Sequence, residues 1–162
     1  MFKTVCAADL DFCKKIGKSK MEETKKIADT ISVKELLNKA KEASTNSYSP
    51  YSKFAVGAAC IFESGKIYLG SNIENVSYGL GLCAERNALS TALCDGEKSR
   101  LLAVAVYSPN QKHCLPCGAC LQWLSEFSNM HSNTDIEVIL EDGMEPVVYK
   151  LSELLPFGFK FD

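Results

Sequence analysis

From Val33 onward the chain switches repeatedly between a helical and an extended hydrophobic period. Val33, Leu36, Leu37 and Ala40 recur at the spacing of one helix face, so a helix is expected to about Ala43. Ser32-Val-Lys-Glu35 stands at its start as a capping box, with Ser32 as N-cap and Glu35 reaching back. Asn46-Ser-Tyr-Ser-Pro50 ends the pattern. Phe54–Phe62 is an apolar run of strand length, Ser64-Gly65 a turn, and Lys66–Asn72 a returning strand, together a hairpin. Cys83 opens a stretch of small and apolar residues with helical character. It stops near Asp95-Gly96, where glycine suits a left-handed cap. Leu101–Tyr107 reads as a buried strand, Cys117–Phe127 as a helix led in by Pro116, and Asp135–Leu140 as another strand. Asp142-Gly143 then turns the chain into Val147–Leu151, a connection so short that it permits only an antiparallel neighbour.

The two internal helices have the length of crossovers between parallel strands. The expected fold is therefore α/β: a three-layer α/β/α sandwich around a five-stranded mixed sheet. Residues 1–31 follow neither period. They are rich in Lys, Asp and Glu and poor in large apolar residues, and they read as a poorly ordered N-terminal extension with a frayed helix around Glu22–Ala28. The folded domain is expected over residues 32–162.

Composition narrows the function. The 162 residues are 46% hydrophobic and 23% charged, which excludes a wholly disordered chain. Eighteen basic against twenty acidic side chains leave a net charge of −2, so no basic field draws a nucleic acid. No run approaches the roughly 20 apolar residues that span a bilayer. Asp9 and Asp11 interrupt the only stretch that resembles a targeting start. A soluble, cytoplasmic protein with no membrane or nucleic-acid partner is expected. Eight cysteines are too few for a disulfide scaffold of this length. In a reducing compartment, the clustering of Cys114, Cys117 and Cys120 points to metal or catalysis.

Cys117-Gly-Ala-Cys120, directly after Pro116, has the spacing of two corners of a tetrahedral zinc site. Placed at a helix start, both sulfurs meet unpaired N–H groups and the positive end of the dipole, which favours thiolates. A redox pair or two core thiols fit the C-x-x-C equally well. Cys83-Ala-Glu85 opens the other crossover helix, so all three sulfurs can converge above the carboxyl ends of the strands. Three protein ligands leave the fourth position open, as in catalytic zinc, and Glu85 is close enough to face that position. Cys114 also makes the run C-x-x-C-x-x-C, which with Cys83 matches an iron–sulfur ligand set.

C-A-E followed by P-C-x-x-C resembles the zinc-dependent nucleoside and nucleotide deaminases. Ser49-Pro-Tyr-Ser-Lys-Phe54-Ala-Val-Gly-Ala58, Asn72-Ile-Glu74-Asn-Val-Ser-Tyr78 and Leu154-Leu-Pro-Phe-Gly-Phe159 are similar to segments of the small homotetrameric cytidine deaminases. The resemblance covers about residues 33–160 and implies a cytidine deaminase-like fold. It implies hydrolytic deamination of cytidine and deoxycytidine at C4, in pyrimidine salvage, with one zinc ion per chain held by Cys83, Cys117 and Cys120. Glu85 is the implied proton shuttle, and Arg86 the arginine that donates to the zinc-bound sulfurs. Asn72 and Glu74 would bind the ribose hydroxyls, Phe54 would pack beside the pyrimidine, and the Ala84 backbone would contact the base. Phe159 would enter the site of a neighbouring subunit in a homotetramer. One position departs from the family pattern: Leu121, ahead of Gln122 and Trp123, stands where these enzymes usually carry Arg. His113 and His131 are not expected to be zinc ligands.

Overall fold

The capping box forms as the sequence predicts: the Glu35 N–H donates to Ser32 Oγ, and the Ser32 N–H donates to the Glu35 carboxylate at 2.8 Å. It starts helix α1 (Val33–Ser44), whose inner face is Val33, Leu36, Leu37, Ala40 and Ala43. The computed structural model describes residues 19–20, 26–27, 31–130, 134–143 and 145–159. Its strands are β1 (Ser19–Lys20), β2 (Lys26–Ile27), β3 (Ile31–Ser32), β4 (Gly57–Phe62), β5 (Ile67–Ser71), β6 (Leu101–Tyr107), β7 (Glu137–Asp142) and β8 (Glu145–Lys150). The further helices are α2 (Ala84–Cys94), α3 (Gly118–Met130) and the single turn α4 (Leu151–Leu154).

The main sheet has the order β1-β8-β7-β6-β4-β5, and β2 and β3 pair separately. Both β5 and β6 run antiparallel to β4, hence parallel to each other, and α2 connects them. Helix α3 joins the directly parallel neighbours β6 and β7. Both crossover helices therefore begin above the carboxyl ends of strands, where α/β folds collect ligands. The five central strands and the mixed sheet are as expected. The two-residue β1 adds a sixth strand at the β8 edge.

Alternation along the strands separates the two faces. Ala59, Ile61, Ala103, Ala105 and Ile139 pack with α1. Ala58, Cys60, Phe62, Val104, Val138 and Leu140 pack on the opposite face with Ala88, Leu89 and Leu124 of α2 and α3. The result is the expected three layers. Two glycines let the helices lie directly on the sheet. A Cβ on Gly57 would stand 2.1 Å from the Ala40 carbonyl oxygen, and one on Gly70 2.3 Å from that of Ala84.

The structure departs from the sequence reading in places. Phe54–Val56 precede β4 instead of belonging to it, because the Asn72 side chain occupies the Val56 N–H and the Phe54 carbonyl. Lys26–Ile27 is extended where a frayed helix was expected, and the rest of Glu22–Ala28 lies outside the described residues. Ile27 and Ile31 are buried beside α1, so side chains at the end of the expected extension contribute to the core.

Candidate functional site

Each sulfur of the C-x-x-C and C-A-E motifs is delivered by a helix start. Cys83 is the N-cap of α2, and its side chain makes no capping bond to the helix. Cys117 immediately precedes α3, and its carbonyl already accepts the Leu121 N–H at 2.9 Å. Cys120 lies one turn on and is buried. The Sγ atoms of Cys83 and Cys117 are 3.8 Å apart, those of Cys117 and Cys120 3.5 Å, and all three lie within 4.8 Å of one another. Sulfurs at the usual Zn–S distance of about 2.3 Å on tetrahedral corners stand about 3.8 Å apart, so the triad fits zinc. Among the described residues this group gathers three ligand side chains, and Cys114 is not one of them; it packs half-buried against the core. The iron–sulfur reading, which needs Cys114, loses its fourth ligand. His113 bonds to Tyr149 instead of joining the sulfurs, and His131 lies outside the described residues.

The charges around the triad are arranged for a cation. Hydrogen bonding with the Cys120 and Cys83 side chains, then with the backbone N–H groups of Cys120 and Ala119, holds the Cys117 thiol far below its usual range. The same contact with Cys117 pushes Cys120 up. Three thiolates around a divalent ion leave one excess negative charge, and Arg86 answers it. Its Nη2 donates to Cys83 Sγ at 3.4 Å and lies 3.5 Å from the Gly81 carbonyl, while its buried Nε–H has no partner among the described residues. Glu85 is only 4% exposed. Burial pushes its carboxyl up from the usual range, and the neighbouring Cys117 charge adds to the effect. A carboxyl raised in this way holds a proton more readily than an exposed one.

The remaining predicted residues are drawn together by short bridges of backbone. Ile73 exchanges two N–H···O bonds of 2.9 Å with Leu82, the residue before Cys83. On its other side the Tyr48 N–H donates to the Asn72 carbonyl at 3.0 Å, and the Glu74 N–H to that of Tyr48 at 2.8 Å. Three segments far apart in sequence thus meet beside the sulfurs. Glu74 accepts from the N–H groups of Tyr51 at 2.9 Å and Ser52 at 3.2 Å. Burial alone would raise its carboxyl, but bonds from Ser52 and Tyr51 and the charge of Lys53 hold it below the usual range, so it stands ionised.

Asn72 does more than the sequence suggested. Its Oδ1 accepts from the Val56 N–H at 2.8 Å and from the Ser47 hydroxyl, and its Nδ2 donates to the Phe54 carbonyl at 2.8 Å. It is the clamp that shapes the half-buried Phe54 segment. Ala84 is fully buried at the first turn of α2. Phe159 is 70% exposed, and the Gln122 side chain grips its backbone. Leu121 is half-buried and packs against the core. Gln122 and Ser47 were not singled out by the sequence reading, since a polar side chain that bonds a distant segment leaves no periodicity behind.

Comparison with known proteins agrees with this geometry. The family described as the cytidine and deoxycytidylate deaminase zinc-binding region matches residues 31–132. A cytidine deaminase of Sporosarcina psychrophila is 41% identical over 129 residues, 80% of this chain and 92% of that one. A cytidine deaminase of Mycobacterium tuberculosis is 40% identical over 127 residues, 78% of this chain and 89% of that one. Among solved structures, the cytidine deaminase of Burkholderia pseudomallei superposes with a TM-score of 0.72 at 38% identity, over 80% of this chain and all of that one.

Proposed function

The chain belongs to the cytidine and deoxycytidylate deaminase family, and from that premise we propose which of its residues carry the reaction. The protein is a zinc-dependent hydrolase that converts cytidine and water to uridine and ammonia. Cys83, Cys117 and Cys120 hold the metal, and their convergence beside a buried carboxyl is the observation that supports the assignment most strongly. When bound, zinc supplies the Lewis acidity that makes water a usable nucleophile near neutral pH.

The rest is the work of this chain's side chains. Glu85 accepts a proton from the attacking water and delivers it to N3 of the pyrimidine. It then takes the proton of the hydroxyl now on C4 and passes it to the exocyclic amine, which departs as ammonia as the C4 carbonyl forms. Its burial keeps bulk water from competing for that proton. Arg86 offsets the excess thiolate charge and orients Cys83 by donating to its sulfur. Ionised Glu74 accepts from a ribose hydroxyl, and Asn72 addresses the same sugar while holding Phe54 against the base. The Ala84 backbone, at the start of α2, contacts the base. Deoxycytidine is the companion substrate that the sequence resemblance implies.

Phe159 and its exposed neighbour Phe157, with Val76, Tyr78 and Leu80, form apolar surface that a homotetramer covers, Phe159 entering the site of another subunit. Residues 32–162 are the catalytic domain and 1–31 an extension, a division supported by the start of the family match at residue 31. Thiolate ligands at Cys83, Cys117 and Cys120 suit a reducing cytoplasm, where the reaction serves pyrimidine salvage. No helix among the described residues is long and apolar enough to cross a membrane. Uridine formation from cytidine, followed before chelation, after chelation and after zinc is returned, tests the assignment. Turnover that survives complete zinc removal overturns it.

A further inference from the structure

Cys117 ends the segment 108–117 that leads from β6 to α3, and this segment is fastened at its centre to a part of the sheet with no role in the chemistry. We infer that His113 is a positioning residue for the zinc ligands Cys117 and Cys120, tying their segment to the β7–β8 hairpin through Tyr149. The inference rests on the zinc assignment above.

Three polar contacts of His113 go to that hairpin. Its N–H donates to the Glu141 carbonyl at 2.8 Å, its Nε2 lies 2.7 Å from the Tyr149 hydroxyl, and its Nδ1 lies 3.7 Å from the Asp142 carboxylate. The imidazole meets the Tyr149 ring edge-on, with centroids 5.5 Å apart. Tyr149 is only 1% exposed and packs in the core cluster that also holds α3 side chains, so the anchor is rigid. The hairpin is braced in turn, since Glu141 pairs with Lys41 of α1. His113 adopts φ +59°, a conformation that non-glycine residues other than Asn, Asp and His seldom take and that the surrounding contacts must enforce. The Leu115 N–H then returns to the His113 carbonyl at 3.0 Å, and the chain reaches Cys117 two residues later. At the other end of the segment, Asn110 accepts the Ala55 N–H at 2.9 Å, next to Phe54. A shift at His113 is thus passed to the sulfurs with little slack. Metal affinity responds to such outer contacts because they decide where the ligand atoms stand before the ion arrives.

The test is the rate at which zinc-loaded, full-length protein surrenders its metal to an excess of a chromogenic chelator. H113N keeps a residue that tolerates the left-handed backbone but cannot reach Tyr149, and Y149F removes the hydroxyl from the other side. Each is expected to speed zinc release about tenfold, with the double variant no faster than the faster single. H113G, which adopts the same backbone freely, removes the whole side chain and is expected to match H113N. Release within twofold of the parent in H113N and H113G, or a double variant whose effect multiplies those of the singles, overturns the inference. A parent that binds no zinc overturns the metal assignment along with it, so the two failures are distinct.

Discussion

The Gln122 side-chain amide pairs with both backbone groups of Phe159: Oε1 accepts its N–H and Nε2 donates to its carbonyl, each at 2.9 Å. The amide thus mimics a neighbouring strand and fixes the C-terminal segment to α3, the helix that carries Cys120. With the backbone held, the Phe159 ring projects outward as an anchored aromatic. Q122A is therefore expected to release Phe159 and raise KM for cytidine several-fold, corresponding to about 1 kcal/mol for the lost bonds. Zinc content should stay at parent level. Steady-state kinetics beside metal analysis checks both, and an unchanged KM would remove Phe159 from the site.

Replacing Glu85 by Gln preserves shape and burial while removing the proton carrier. E85Q should hold one zinc per chain yet lose turnover by about 10²–10⁴-fold, the range attributed to general acid–base catalysis. Its stability should match or exceed the parent, since an ionisable group is no longer buried at 4% exposure. Metal analysis, kcat and a denaturation midpoint on one preparation are sufficient.

Gly70 and the first turn of α2 are in backbone contact, and no side chain can enter between them. A methyl group at Gly70 would sit 2.3 Å from the Ala84 carbonyl oxygen and equally close to the Ala88 nitrogen, so the helix must move. G70A is expected to cost about 1–3 kcal/mol and to weaken zinc binding, because Cys83 and Glu85 ride on the displaced turn. Urea unfolding and zinc titration together report the two effects.

Glu97 supplies a pH dependence away from the metal. It is 8% exposed and accepts from the Ser64 hydroxyl at 2.6 Å and from the N–H groups of Ser99 at 2.8 Å and Lys98 at 2.9 Å, stitching the β4–β5 turn to the loop after α2. These bonds, Ser64 first, lower its carboxyl from 4.5 to about 2. A pKa depressed in the folded state stabilises above the unfolded value, and that stability is lost as pH falls through the folded one. E97Q should be less stable than the parent at pH 7, with the gap closing between about pH 4.5 and 2. Acid titration of the unfolding free energy checks this, and a gap that persists unchanged below pH 2 would contradict it.

Much of the architecture was legible because its signals are local. The Ser32–Glu35 box, the glycine at 96 with φ +75°, the Asp142-Gly143 turn and the apolar run Leu101–Tyr107 each act within a few residues, and each appears where the pattern put it. The site was legible through its motifs: Cys83, Cys117 and Cys120 converge although 34 residues separate the first two, because two crossover helices of one sheet must start on the same side. Chain order and period therefore determined the layers and the strand directions, and with them the meeting of the three sulfurs.

What tertiary structure alone decided are the polar fits across long separations. The Asn72 amide pulls Phe54–Val56 out of β4, Gln122 grips a residue 37 positions away, and His113 reaches Tyr149 across 36. Ile27 is buried although its surroundings in sequence are charged. A hydrogen bond or a buried contact of this kind depends on ångström-scale geometry between segments, and that geometry exists only after the core has packed. Hydrophobic period reports which face of an element turns inward, and it carries no information about which polar atom waits on the other side.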